Sequence, residues 1–193
     1  MNNDDAAMKV LICKTPGVLE YGTRPEPVAT PGRAIIRIKR IGICGTDLHA
    51  FEGTQPFFNY PRILGHELAG ELVDPRGAAG FRQGETVTFI PYFSCGRCVA
   101  CRAGKPNCCA HIQVCGVHVD GGMAAYLSVP CEALVHGEDL GFDELALVEP
   151  LSIGAHGVRR ADIKQGETVL VVGAGPIGLG AMQFAGIAGA KVI

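Results

Sequence analysis

Four cysteines in the pattern Cys95-x-x-Cys98-x-x-Cys101, with Cys109 following after seven intervening residues, restrict this chain more than any other feature. A structural zinc site wants four soft donors in a tetrahedron at ~2.3 Å, and two-residue spacers let a turning backbone aim neighbouring sulfurs at one point. Gly96 and Gly104 supply the conformational freedom such a loop needs. The predicted lobe spans about residues 91–115. Disulfides and ordinary buried thiols are the alternatives, and Cys108, beside Cys109, is a rival for the fourth place. A closed four-sulfur shell stabilises a lobe but leaves no open position for a reaction. By itself this motif would not make an enzyme.

The full count of nine cysteines is odd. The polar, acidic start at residues 1–5 lacks the basic residues and apolar run of an export signal. Metal ligation in a reducing cytoplasm is therefore expected rather than a disulfide framework. Seventeen basic and nineteen acidic residues give a net charge of −2, which argues against nucleic acid or an anionic membrane as partner. The uncharged stretch 168–190 is long enough to imitate a membrane span. It holds six glycines and Pro176, and its first half reads as a strand.

The first two-thirds of the sequence are β-rich. Short strands are predicted over 10–13, 33–41, 68–73 and 86–90, each bounded by glycine, proline or charge. Residues 142–161 have helix-forming composition interrupted by Pro150. A buried-type strand over 168–172, a glycine loop, a small-residue helix over 177–188 and the start of another strand at 191–193 follow. The division expected from this pattern is a zinc-binding catalytic domain over 1–155 and a second domain opening at 156–193.

A second group of metal-ligand residues is scattered: Cys44-Gly45-Thr46-Asp47 with His49, then Gly65-His66-Glu67, then Glu149-Pro150. One thiolate, one imidazole and two carboxylates are the donor mix of a catalytic rather than a structural zinc. With the four-cysteine lobe, Gly121-Gly122, Tyr126 and Val148-Glu149-Pro150-Leu151-Ser152, these motifs stand in the order and spacing of a known family. The chain resembles the zinc-dependent medium-chain dehydrogenases, in the branch with sorbitol and threonine dehydrogenases. The resemblance implies a GroES-like β-barrel catalytic domain followed by the incomplete start of a Rossmann domain, an α/β-plus-β architecture. It implies two zinc ions per chain. Cys44 and His66 would bind the catalytic ion and Glu67 would be a ligand that comes and goes. Glu149 would either bind the metal or hold its water. Asp47 would accept the proton of the far nitrogen of His66 and fix the ring. The zinc would lower the pKa of a substrate hydroxyl, Thr46 would relay the proton, and His49 would pass it to solvent.

The loop Gly173-Ala-Gly175-Pro176-Ile177-Gly178, between a predicted strand and helix, carries the G-x-G-x-x-G pattern of dinucleotide binding. Gly173 makes the turn, Gly175 admits the pyrophosphate to the backbone, and Gly178 allows close packing. NAD is the expected cofactor. NADP stays open, because the acidic residue that reads the ribose falls ~20 residues past the loop. A lone strand and helix cannot cover each other, so the sequence is expected to be a piece of a longer chain, homodimeric or homotetrameric when whole, with little turnover of its own. The polar and aromatic segment 51–62 would border the substrate cleft. Its Gln55-Pro-Phe-Phe stretch resembles sugar-acid dehydrogenases acting at C5 of L-galactonate or L-gulonate, and Arg62 is either a carboxylate partner or a surface ion-pair residue. Simple polyols and threonine are alternative substrates. A non-catalytic zinc module is the competing class, disfavoured by the intact second ligand set, as both sets disfavour a zinc-free quinone reductase. Cys13, Cys108, Cys115, Cys131, His111, His118, His136 and His156 have packing or surface as their default reading.

Overall fold

A computed structural model describes residues 6–193; residues 1–5, read above as lacking an export signal, lie outside the described residues. The chain separates into two compact units, residues 1–146 and 147–193.

The first unit is built around β3 (Arg33–Gly42), whose Ala34 and Ile36 are fully buried while Arg40 is exposed. It pairs antiparallel with β5 (Glu67–Asp74) and β9 (Tyr126–Pro130) in a five-stranded sheet completed by β6 (Thr86–Phe89) and β10 (Leu134–His136), in the order β10-β6-β5-β3-β9. Leu68, Leu72, Val87, Phe89 and Val129 join Ile36 in its core. A smaller sheet sets β1 (Ala7–Thr15) between β2 (Val18–Pro25) and β4 (Arg62–Ile63). The run into β9 serves both sheets: Leu11 N donates to Met123 O at 2.8 Å, and Ile38 N to Ala125 O at 3.0 Å.

This is not the closed barrel expected. β9 and β10 remain the two edges of the larger sheet. Closure needs strands long enough to bond on both sides around a tilted ring, and β10 has three residues and β4 two. β2 escaped the sequence reading because most of its side chains are exposed and give no alternating signal.

The predicted helix 142–161 is two helices, α3 (Phe142–Ala146) and α4 (Val148–Ala161), numbered after α1 (Gly45–Glu52) and α2 (Val99–Arg102). The break falls at Leu147. Pro150 lies in the first turn of α4, where an amide would lack an intrahelical acceptor anyway. In the second unit α4 packs closely on α5 (Pro176–Ile187): a Cβ built on Gly154 would lie 2.8 Å from Ala181 N. This contact explains why the unit starts at residue 147, ahead of the 155/156 division expected. β11 (Thr168–Val169) and β12 (Lys191–Val192) pair in parallel across α5. Leu170, Val172, Leu179, Ile187 and Ile193 remain exposed. The membrane-like stretch is thus strand, loop and a twelve-residue helix, and no helix among the described residues is long and apolar enough to cross a membrane.

Candidate metal centres

The lobe rises from a two-stranded stem in which β7 (Tyr92–Phe93) pairs antiparallel with β8 (Gln113–Val114). Gly96 and Gly104 adopt φ of +69° and +70°, the left-handed turns a side chain would strain. Between them Cys98 caps α2. The Sγ atoms of Cys95, Cys98, Cys101 and Cys109 lie within 4.8 Å of one another. A zinc tetrahedron with ~2.3 Å bonds has edges of ~3.8 Å, so the four sulfurs fit the ion with small adjustments. Backbone N–H groups of Cys95 and His111 point at Cys109 Sγ, each at 3.3 Å. Backbone N–H groups of Cys101 and Ala110 hold the Cys98 thiol down at about 6, while burial pushes that of Cys101 up to about 11. Cys109, not Cys108, completes the group; Cys108 is exposed.

The second cluster is assembled by a strand pair. In the β3–β5 ladder Gly42 sits opposite Glu67. The chain leaves β3 through Cys44, which caps α1, and enters β5 through Gly65-His66. Cys44 Sγ, a ring nitrogen of His66 and a carboxylate oxygen of Glu67 lie within 4.8 Å of one another. His66 and Glu67 are 5% and 6% exposed. Burying an imidazole and a carboxylate beside a thiol is costly unless charge is shared, and a cation does that best. Gly42 makes the room: a Cβ there would lie 2.8 Å from Glu67 Cβ and overlap its Oε2. Asp47, 4% exposed, ties the two arms together. One carboxylate oxygen accepts from Cys44 N at 3.0 Å and the other from Gly65 N at 3.1 Å.

Residues 30–139 match the alcohol dehydrogenase GroES-like domain. The chain belongs to the zinc-type medium-chain dehydrogenases. The chain is 50% identical over 189 residues to the L-galactonate-5-dehydrogenase of Escherichia coli strain K12, covering 97% of the chain and 56% of that protein. It is 38% identical over 192 residues to a sorbitol dehydrogenase of Halalkalibacterium halodurans, covering 96% and 55%. A solved alcohol dehydrogenase of Escherichia coli CFT073, complexed with NADH, superposes with a TM-score of 0.88 at 35% identity, over 96% of this chain and 56% of that one. The chain therefore spans little more than half the length of the relatives it matches.

The other residues singled out in the sequence are divided between the two units. Thr46 is half-buried in the first turn of α1, and His49, on the same helix, is exposed with Nδ1 3.3 Å from Thr54 Oγ1 and 3.4 Å from Glu52 Oε2. Glu149 is buried in the first turn of α4, in the second unit. There, Gly173 has a φ of +105°, Gly175 caps α5, Pro176 and Ile177 open it, and Gly178 leaves the space that the Gly173 carbonyl fills. In segment 51–62 Phe58 is core and packs edge-on against Tyr60 at 4.8 Å, whereas Phe57 is exposed. Arg62 pairs with Asp120 at 3.2 Å, the ion-pair alternative of its two readings. His118 accepts from Val114 N at 3.1 Å, and His136 stacks on Phe81 at 3.8 Å.

Sequence reasoning missed the space made by Gly42 and the amide clamp of Asp47. Cys44 is not one of the usual capping residues, so only the acid at the third helical position, Asp47, hinted at the clamp.

Proposed function

We propose that the full-length protein oxidises a secondary alcohol of a sugar acid or polyol, with C5 of L-galactonate or L-gulonate as the leading substrate, in a zinc- and NAD(P)-dependent hydride transfer. The observation that carries the reading is the Cys44–His66–Glu67 group, with His66 and Glu67 buried and Cys44 half-buried, a mixed donor set separate from the all-cysteine set. The 50% identity to an L-galactonate-5-dehydrogenase supports the substrate class.

A zinc ion held by Cys44, His66 and Glu67 would supply Lewis acidity toward the hydroxyl, and a nicotinamide the hydride acceptor. The four lobe cysteines would hold a second, structural ion. This chain's own residues do the rest. Asp47 fixes the Cys44 and Gly65 amides, so the ligands stay in register, and it is also the candidate to orient the His66 ring. Thr46 can accept a proton from the hydroxyl and donate its own onward. His49, exposed on the same helix, can take that proton and release it to water. The resemblance gives Glu149 one of two roles, metal ligand or holder of the metal's water. Residues 147–193 open a Rossmann unit in which Gly173, Gly175, Pro176, Ile177 and Gly178 would meet the pyrophosphate at the start of α5.

Metal analysis of the full-length protein should find two zinc equivalents per chain, and NAD(P)H should form with sugar acids ahead of polyols and threonine. Two equivalents without reduction of either nicotinamide by any of these alcohols would defeat the enzymatic reading. One equivalent, confined to the lobe, would favour a zinc-binding module.

A further inference from the structure

The His66 loop is short, and the segment packed against it meets it at two glycines. Gly116, at φ +75°, leaves room where a Cβ would lie 2.9 Å from Gly65 N and 3.0 Å from Gly65 O. A Cβ on Gly121 would lie 2.5 Å from Leu64 O and overlap Gly65 O. Across this bare contact run three backbone bonds: Gly121 N to Ile63 O at 2.8 Å, Gly122 N to Gly65 O at 2.9 Å and Met123 N to Leu64 O at 2.9 Å. Asp120 adds a fourth, its Oδ1 accepting from Ile63 N at 3.1 Å while also holding Arg62. The other end is anchored where Cys115 N donates to Pro91 O at 3.0 Å, at the foot of the four-cysteine lobe.

We propose that residues 115–122 are a brace that sets the position of His66, with Gly116, Gly121 and Asp120 as its positioning residues. This rests on the metal-binding reading of Cys44, His66 and Glu67. Asp47 holds the loop from the α1 side by Gly65 N, and the brace holds the carbonyls of the same loop. The loop is therefore gripped through both of its peptide edges. The contact borders a cavity of about 520 Å³ lined by Ile63 as well as Cys115, Val119, Asp120 and Gly121, which leaves room for the segment to shift. A methyl group at residue 121 pushes either the loop forward or the brace back into that cavity. Both movements pull the amide donors from the 63–65 carbonyls, and His66 moves with its neighbour Gly65.

The test compares Gly121→Ala, Asp120→Ala and Asp120→Asn in the full-length protein, using zinc stoichiometry, zinc competition titration, and hydrogen exchange of the 63–67 amides. Gly121→Ala should keep the lobe's equivalent and weaken zinc retention at the other centre on the order of 10–100-fold, the usual range for groups that orient a ligand. Exchange at 63–67 should quicken by about tenfold or more, the mark of a locally opened segment. Asp120→Ala should do the same to a smaller degree. Asp120→Asn, which keeps an acceptor for Ile63 N, should restore wild-type retention. Wild-type affinity and exchange in both alanine variants overturn the brace, and so does equal loss from both centres. If Gly121→Ala does not fold, the Asp120 pair decides. If the wild type holds only the lobe's equivalent, the metal reading fails, and the exchange rates still decide whether the brace holds the loop.

Discussion

The four-cysteine lobe and the Cys44–His66–Glu67 group gather their donors by opposite means. In the lobe, consecutive turns of one loop aim the sulfurs, with Gly96 and Gly104 supplying the bends and the β7–β8 stem closing the base. The second group draws on residues far apart in sequence, and its shape depends on the β3–β5 register that sets Gly42 opposite Glu67. A local device of the first kind folds around its ion. One of the second kind is fixed by the sheet and has to be held open by spaces and clamps: the missing side chain of Gly42 and the two amide bonds of Asp47. Stability should follow the first centre and turnover the second.

The largest expected effect sharpens that contrast. Cys109→Ser should release the lobe's metal and cost several kcal/mol of folding stability, since metal binding to such a loop is largely its folding energy. Cys108→Ser should stay within about 0.5 kcal/mol. Thermal melts with metal counts check both, and equal losses would erase the distinction between the two cysteines. Next comes Asp47→Ala, which strips acceptors from the Cys44 and Gly65 amides at about 1–3 kcal/mol for each one left unsatisfied. Zinc should leave the Cys44 centre while the lobe stays loaded, and the reverse order would break the comparison. Gly42→Ala should cost about 1–3 kcal/mol by overpacking against Glu67. Urea denaturation measures it, and a neutral result would show that the pair has slack.

The smallest effect is read only as a slope at alkaline pH. Burial pushes the Cys115 thiol from an ordinary 9.0 up to about 12. A raised folded value means the stabilising contribution is full below about pH 9 and lost as pH climbs toward 12, because only the unfolded thiol ionises in that window. Cys115→Ala should therefore flatten the fall of the urea midpoint between pH 9 and 11 relative to wild type. An unchanged slope would mean that the thiol ionises in place.

Much of this architecture was legible in residue order. The lobe's quartet was readable because its geometry is local: spacers of two residues constrain sulfurs whatever the rest of the chain does. β3 and β5 were found to within a residue or two, since Ala34, Ile36, Leu68 and Leu72 alternate or cluster strongly. β2 and β10 were not, as one is nearly all exposed and the other is three residues long. The Cys44–His66–Glu67 grouping came from resemblance, because no local rule tells which distant strands will pair. Gly121 was part of the resemblance, but the spaces that it and Gly42 leave were invisible for a related reason. What they contribute is the absence of atoms at a place where another part of the chain arrives, and the sequence does not say who the visitor will be.

One irregularity in β3 carries a consequence for how this site tolerates change. Ile38 pairs with Gly70 but Arg40 with Ala69, so Lys39 is a surplus residue inside the ladder. An unbroken strand would deliver Gly42 and Cys44 one step out of phase with Glu67 and turn the thiol toward the opposite side of the sheet. The alignment of the two arms is thus stored in a half-buried lysine that touches neither of them, and trimming the strand by that one residue would undo the thiol's partnership with the imidazole while leaving every donor in the chain.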